Sequence, residues 1–265
     1  MQKKYLFILT LLFNILLVNS CNDGGGNGVK EPNGISQPEE DSYEMENPKS
    51  QNLLLIADDR SGSTGGIRKM TEKDYLDILK SYAKKHYGQV AIRVIGNPVP
   101  QEQQFYLLEL KKPHDYLPIP EGKRMSIIAK VKKKNEQIKK MNQQIDQENV
   151  QKIEKFVNSV VKPHIINYKP YKNKDITNIK DVFEHIYTKT GERTFDNYDK
   201  IQLLIISDGI HDATKLKEPL KFKPDKNKDK LEIFLVGWKD KSAFDGNDKV
   251  SVFESIESFK SFYRE

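Results

Sequence analysis

The sequence has almost no cysteine. Cysteine occurs once in 265 residues, at Cys21, so no disulfide can form within the chain. The apolar run from Tyr5 to Val18 is too short to span a bilayer comfortably. Stability must therefore come from an ordinary hydrophobic core, and the roughly 210 residues after position 50 are enough to build one.

The N-terminal segment has the features of a secretory signal. A positively charged start precedes the apolar run, and small or polar residues follow it. Val18 and Ser20 stand three and one positions before Cys21, as in a bacterial lipobox. We expect residues 1–20 to be a signal peptide and Cys21 to carry a lipid anchor to a membrane of the bacterial cell envelope. An uncleaved anchor and a soluble secreted form are the alternatives.

The next segment, residues 21–50, is rich in Gly, Asn, Pro, Glu and Ser and has almost no aliphatic residues. Such a composition cannot bury enough apolar surface to offset the entropy of ordering, so we expect a disordered tether. The folded domain is then predicted to comprise residues 51–265.

A hydrophobic stretch followed by acidic and hydroxyl residues organises this domain. The four aliphatic residues from Leu53 to Ile56 predict a strand that is buried on both faces, in the centre of a parallel sheet. Asp59, Ser61 and Ser63 follow in the pattern D-x-S-x-S, so that one carboxylate and two hydroxyls can converge beyond the strand. Oxygen ligands of this kind suit Mg²⁺ or Mn²⁺. Alternatively, these residues cap the turns of a plain loop.

This pattern resembles the metal-ion-dependent adhesion site of von Willebrand factor type A domains, which begins with D-x-S-x-S after the first strand. The resemblance extends to a T-N-hydrophobic loop at Thr177 and to a long apolar strand that ends at Asp208. It implies that both residues complete the site. Ser207 stands where the family usually has Thr, and Ile176 stands where it often has Gly.

The remaining patterns predict the other elements of an α/β domain. Val90–Ile95 and Phe105–Leu110 are predicted strands whose connection is too short for a crossover helix, so we expect them to be antiparallel. A further strand is predicted at Leu231–Val236, and residues 250–263 are predicted to form one amphipathic helix. The resulting fold is a doubly wound, Rossmann-like and mainly parallel sheet of five strands, order 3-2-1-4-5, with an antiparallel edge strand.

A long polar helix is predicted over residues 123–161. Its apolar stripe is narrow and thins in the middle, and residues 132–140 are strongly basic. The resemblance implies a much shorter helix here, so we expect this one to extend beyond the domain or to pack along one seam. It is either a solvated amphipathic helix or an arm for a partner or a coiled coil.

The function that these features favour is metal-dependent protein binding. Asp59 and Asp208 are expected side by side where the winding of the sheet reverses. Two carboxylates balance the charge of a divalent cation, and the three hydroxyls add ligands without adding charge. The resemblance implies that an acidic residue of a protein partner completes the metal shell.

Other function classes fit the sequence less well. A basic helix in a chain of net charge +6 could serve as an electrostatic scaffold or a coiled-coil interaction surface. A metal-dependent hydrolase is disfavoured because Asp58 and Asp59 are adjacent and cannot share the roles of an alternating acidic pair. His211 and Asp212 could provide a base, but the sequence supplies no activated nucleophile. We therefore expect no enzyme, and no nucleic-acid partner for an exported protein.

Overall fold

The computed structural model describes residues 51–62, 66–97, 104–174, 176–191, 196–211, 220–222, 228–238 and 241–265. The predicted signal peptide, Cys21 and the predicted tether lie outside these residues. So does Ser63, the second serine of the D-x-S-x-S pattern.

The fold is α/β, built on a mixed sheet of six strands in the order β3-β2-β1-β4-β5-β6. The strands are β1 (Gln51–Asp59), β2 (Gly88–Ile95), β3 (Tyr106–Glu109), β4 (Tyr198–Ile206), β5 (Leu231–Val236) and β6 (Val250–Phe253). β1 pairs in parallel with β2 on one side and with β4 on the other, and β3 is antiparallel to β2 as its short connection predicts. The carboxyl ends of β1 and β4 therefore lie next to each other.

The prediction of five strands is wrong, because the chain adds β6 in parallel beside β5. Val250 and Phe253 are three residues apart, a spacing that fits a helix face as well as a short strand. The helix begins only after Ser255, whose side chain and that of Ser258 form a capping box. The predicted single helix over residues 250–263 is thus a strand followed by a helix.

The sheet is covered on both faces, and β1 shows this most clearly. Leu54 and Ile56 belong to one buried cluster, while Leu53 and Leu55 belong to the other. Successive side chains of a strand point to opposite faces, so a strand with two buried faces needs an unbroken aliphatic run. Burying each such side chain contributes about 1.5–3 kcal/mol.

Three α-helices contribute to the cluster of Leu54, and one contributes to the cluster of Leu53. The first three are α1 (Glu72–Lys85), α2 (Met125–Phe156) and α4 (Ile256–Arg264); the fourth is α3 (Ile179–Gly191). A π-helix, Val157–Ile166, continues α2 and buries Val157, Val161 and Ile165 in the first cluster. A capping box formed by Thr71 and Asp74 starts α1.

The long helix α2 packs along one seam against an extended segment, residues 111–117, which we call the strap. Asn149 accepts a hydrogen bond from the backbone N–H of Lys111 and donates one to its carbonyl, at 2.9 and 2.8 Å. Asn142 binds His114 in the same two-fold way, and Asn135 binds Leu117. These three asparagines form a ladder that ties the strap to the helix.

The spacing of the ladder follows from the geometry of its two sides. Seven residues of helix advance by about 10.5 Å, and three residues of extended chain advance by about 10 Å. Asparagines seven apart on α2 therefore meet backbone groups three apart on the strap. The thin middle of the apolar stripe is the place where Asn135 and Asn142 replace aliphatic residues.

Candidate metal centre

Asp59 and Ser61 meet where β1 ends. Asp59 Oδ1 accepts hydrogen bonds from the backbone N–H of Ser61 at 2.9 Å and from Ser61 Oγ at 2.7 Å. Both residues are buried, with 2% of Asp59 and none of Ser61 exposed. The strand thus ends in a turn that aims the carboxylate and the hydroxyl at the same point.

Thr177 joins this pair from a distant part of the chain. It is fully buried, and its Oγ1 donates to Ser61 Oγ at 2.7 Å. Glycine is needed where the backbone φ is positive. Among the described residues other than glycine, only Lys172 has a positive φ, so the backbone at Ile176 does not call for glycine. Ile176 is therefore compatible with the predicted position of Thr177.

The loop that carries Thr177 is anchored to the end of β2 and to α3. Asn97 donates to the carbonyl of Tyr171 at 2.8 Å, and its backbone N–H donates to Tyr168 Oη at 2.7 Å. The side chain of Asn178 then caps α3 by accepting from the N–H of Asp181. Sequence reasoning missed Asn97, since its partners are more than 70 residues away.

Ser207 and Asp208 complete the group from the end of β4. Ser207 Oγ donates to Asp59 Oδ2 at 2.7 Å, so both oxygens of Asp59 are engaged. Asp208 is 3% exposed, and its Oδ1 accepts from the N–H of Ile210. Gly209 follows with φ of 82°, and a Cβ there would lie 2.8 Å from the Trp238 ring. Glycine is thus required after Asp208.

The two carboxyl groups of the site share a buried environment. Burial raises the pKa of Asp59, hydrogen bonds from Ser61 and Ser207 oppose this rise, and the negative charge of Asp208 adds to it. Asp208 Oδ2 is buried and has no hydrogen-bond partner among the described residues. A buried carboxylate oxygen in this state is stabilised by a nearby cation.

The spacing of the oxygens fits a small octahedral cation. Ser61 Oγ lies 2.7 Å both from Asp59 Oδ1 and from Thr177 Oγ1. Adjacent ligands on Mg²⁺, each about 2.1 Å from the ion, lie about 3 Å apart. The protein oxygens therefore have nearly the mutual spacing of adjacent ligands, and the donor set of carboxylates and hydroxyls is chemically suitable.

A buried ion pair lies beside the site. Asp58 is fully buried and binds Arg60 through Oδ2, which also accepts from Tyr75 Oη. Arg60 in turn donates to the carbonyl of Met70 at 2.8 Å. Asp58 is therefore a buried residue and not a surface carboxylate. Arg60 neutralises Asp58, and its hydrogen bond to Met70 joins the two ends of the segment 60–70 that follows β1. No sequence pattern indicated this role.

The residues of the hydrolase alternative are only partly described. His211 lies 3.5 Å from the backbone N of Lys180 at the start of α3, while Asp212 is outside the described residues. No group of three or more His, Cys, Asp or Glu side chains that could hold a metal occurs in the described part of the chain. The candidate centre has two carboxylates, and its other oxygens come from hydroxyls.

Comparisons with known proteins give a weak structural match and no sequence match. No family model matches the chain, and no curated protein matches its sequence. A crystal structure of proximal thread matrix protein 1 from the mussel byssus matches 81% of the chain, at 10% sequence identity and a TM-score of 0.40. The match covers 46% of that protein. None of the helices described here is long and apolar enough to cross a membrane.

Proposed function

We propose that the protein binds a protein partner through one Mg²⁺ or Mn²⁺ held by Asp59, Ser61, Ser63, Thr177 and Asp208. The domain would be of the von Willebrand factor type A kind, with a doubly wound sheet. When bound, the ion supplies a positive centre that an acidic side chain of the partner can ligate. Only two of the protein's five ligands would be charged and the other three are neutral hydroxyls, so a six-coordinate ion would keep a position for a carboxylate of the partner.

The convergence of three distant segments is the observation that carries this proposal. The end of β1, the loop before α3 and the end of β4 bring oxygen atoms together that are up to 148 residues apart. A structural network of hydroxyls would not need a second buried carboxylate with an unpartnered oxygen. Asp208 Oδ2 is such an oxygen, as is Oδ1 of Asp58, and a cation at the centre would give Asp208 Oδ2 a partner.

The surroundings of the centre favour protein binding. Ile210, two residues after Asp208, is 51% exposed, and Gly62 and Gly66 of the first loop are exposed as well. An apolar side chain beside a metal suits a surface on which a partner rests its own apolar groups around one acidic residue. Catalysis would need a nucleophile or base, and the described residues around the centre supply hydroxyls that already donate hydrogen bonds.

Capture of partners from envelope extract tests this function. We expect the wild-type domain to retain a protein in Mg²⁺ and to release it in EDTA, and Asp59→Ala to retain none under either condition. Asp199→Ala is the matched control, because Asp199 is exposed at the opposite end of β4. Retention that EDTA does not affect, or that Asp59→Ala leaves unchanged, would contradict the proposal.

A further inference from the structure

The positive charge of the chain is concentrated in one continuous stretch of sequence. Residues 111–140, which comprise the strap and the first half of α2, contain ten Lys and Arg residues against three Asp and Glu. Their net charge of +7 exceeds the +6 of the whole chain. We call these residues the arm; the rest of the chain is close to neutral.

The basic side chains of the arm face solvent around the helix. The seam toward the strap uses Ile128, Val131 and Ile138, which are half-buried or buried. The exposed basic residues on the remaining faces are Lys123, Arg124, Lys130, Lys132, Lys133, Lys134, Lys139 and Lys140. In the second half of α2, by contrast, Glu148 and Glu154 form ion pairs with Lys111 and Lys80.

The end of the arm also exposes apolar side chains. Met125 is 77% exposed, Ile119 is 53% exposed and Ile127 is 42% exposed. Tyr116 on the strap is 56% exposed. Basic residues around exposed aliphatic and aromatic side chains are the combination that binds the interface of an anionic bilayer.

The arm is held in one shape by the asparagine ladder. Asn135 fixes Leu117 and Asn142 fixes His114, each with two hydrogen bonds of 2.7–2.9 Å. The strap therefore presents Tyr116 beside the start of α2, with Ile119 in the connection between them. Binding would not require the arm to order itself first, which lowers its entropic cost.

The arm leaves the sheet at the end opposite to the metal centre. β3 ends beside the start of β2, where the N–H of Leu110 donates to the carbonyl of Gly88. A groove of about 710 Å³ at this end is lined by Gln51, Lys111 and Met141 among others. The start of β1 and the base of the arm thus lie together at this end of the sheet.

We propose that the arm binds the surface of an anionic lipid bilayer. The lysines would contact headgroup phosphates, and Met125, Ile119 and Ile127 would enter the boundary between headgroups and acyl chains. A bilayer fits better than a nucleic acid, because phosphates of a duplex offer nothing to exposed aliphatic side chains. Docking in this way would leave the metal centre facing away from the membrane.

Vesicle sedimentation in EDTA tests the proposal with residues 22–265. This chain lacks Cys21 but keeps every described strand and helix. We expect at least about tenfold stronger partition to vesicles with about 30 mol per cent phosphatidylglycerol than to pure phosphatidylcholine. At about 0.5 M salt the difference should largely disappear through screening.

Two variants and one control assign the binding to the arm. The charge variant combines Lys132→Glu, Lys133→Glu, Lys139→Glu and Lys140→Glu, the apolar variant combines Met125→Ser and Ile127→Ser, and the control combines Lys84→Glu, Lys155→Glu, Lys174→Glu and Lys241→Glu. We expect the charge variant to lose at least about tenfold in partition, and the control to lose within about threefold. The apolar variant should lose severalfold at unchanged charge. All substituted residues are exposed, and circular dichroism checks that each variant folds.

Three results would overturn the proposal. They are equal partition of the wild type to anionic and neutral vesicles, equal losses in the charge variant and the control, and arm-dependent binding of an RNA duplex without vesicle binding. Because EDTA removes divalent ions, none of these results bears on the metal centre.

Discussion

Adjacent acidic residues in this protein have separate tasks. Asp58 and Asp59 are neighbours on β1, whose side chains alternate between faces. Asp58 is paired with Arg60, whereas Asp59 is surrounded by the hydroxyls of Ser61 and Ser207. The pairing leaves Asp59 as the carboxylate of β1 that suits a cation.

A fourth buried carboxylate, Asp74, links α1 to α4 and to Arg68 in the segment that follows β1. It forms ion pairs with Arg68 and Lys260 and caps α1 together with Thr71. Burial raises the pKa of Asp74, but hydrogen bonds from Arg68, Lys260 and Thr71 outweigh burial and hold its pKa well below the usual range. Its ionised form is thus favoured by folding.

The stabilisation by Asp74 should depend on pH. Because the pKa is lower in the folded than in the unfolded state, the contribution is complete above pH about 4 and declines as the pH falls further. We expect Asp74→Asn to lower the free energy of unfolding by about 2 kcal/mol at pH 7 and by clearly less at pH about 3. Urea unfolding at both pH values measures this, with Asp199→Asn as an exposed control. An equal loss at both pH values would contradict the assignment.

At the scale of elements, local signals predicted the structure well where they had one interpretation. The run from Leu53 to Ile56 predicted the central strand, and the short connection after Val90–Ile95 predicted the antiparallel edge strand. Val250–Phe253 failed because its spacing suits either a strand or a helix, and pairing with β5 decided in favour of a strand.

The asparagine ladder shows why α2 was harder to interpret. An asparagine within an apolar stripe resembles a solvated gap, and its partner here is backbone rather than a side chain. Asn135, Asn142 and Asn149 are spaced seven residues apart, which places them on one face of the helix. This regular spacing indicates a shared partner, which is the backbone of the strap. The two ends of each bond are 18 to 38 residues apart.

Removing one rung of the ladder should destabilise the domain according to its burial. Asn149 is 1% exposed, so Asn149→Ala leaves the N–H and carbonyl of Lys111 without partners and should cost about 2 kcal/mol. Asn135→Ala should cost less, since Asn135 is only half-buried. Gln143→Ala, on an exposed face of the same helix, is the control. Thermal or urea unfolding measures these losses. If Asn149→Ala lowers the free energy of unfolding no more than Gln143→Ala does, the ladder does not stabilise the domain.

For the whole molecule, the sequence predicted which segments converge at the candidate centre but not what holds them there. Five ligands were predicted from spacing and resemblance. Of these, Asp59, Ser61 and Thr177 are joined by hydrogen bonds, and Asp208 lies near enough to Asp59 to interact with it through its charge. Arg60, Tyr75 and Asn97 act through contacts that depend on the complete fold. Such contacts leave no periodic signal in the sequence.

The predicted lipid anchor concerns the whole molecule as well. Cys21 is the single thiol of the chain, so Cys21→Ala removes the acceptor for a lipid. We expect this variant to leave the membrane fraction or to accumulate unprocessed, because stable anchoring requires acyl chains. Cell fractionation and the mass of the mature protein measure this. Unchanged fractionation and processing would exclude lipidation at this site.

Calorimetric titration of the folded domain with Mg²⁺ and Mn²⁺ tests the central claim most directly. The account predicts one divalent site in the wild type and in the control Asp199→Asn, and none in Asp59→Ala or in Asp208→Asn, which keeps the size of the side chain but removes its charge. The absence of any divalent binding by the folded wild type at millimolar concentrations, or equal binding by all four proteins, would contradict it.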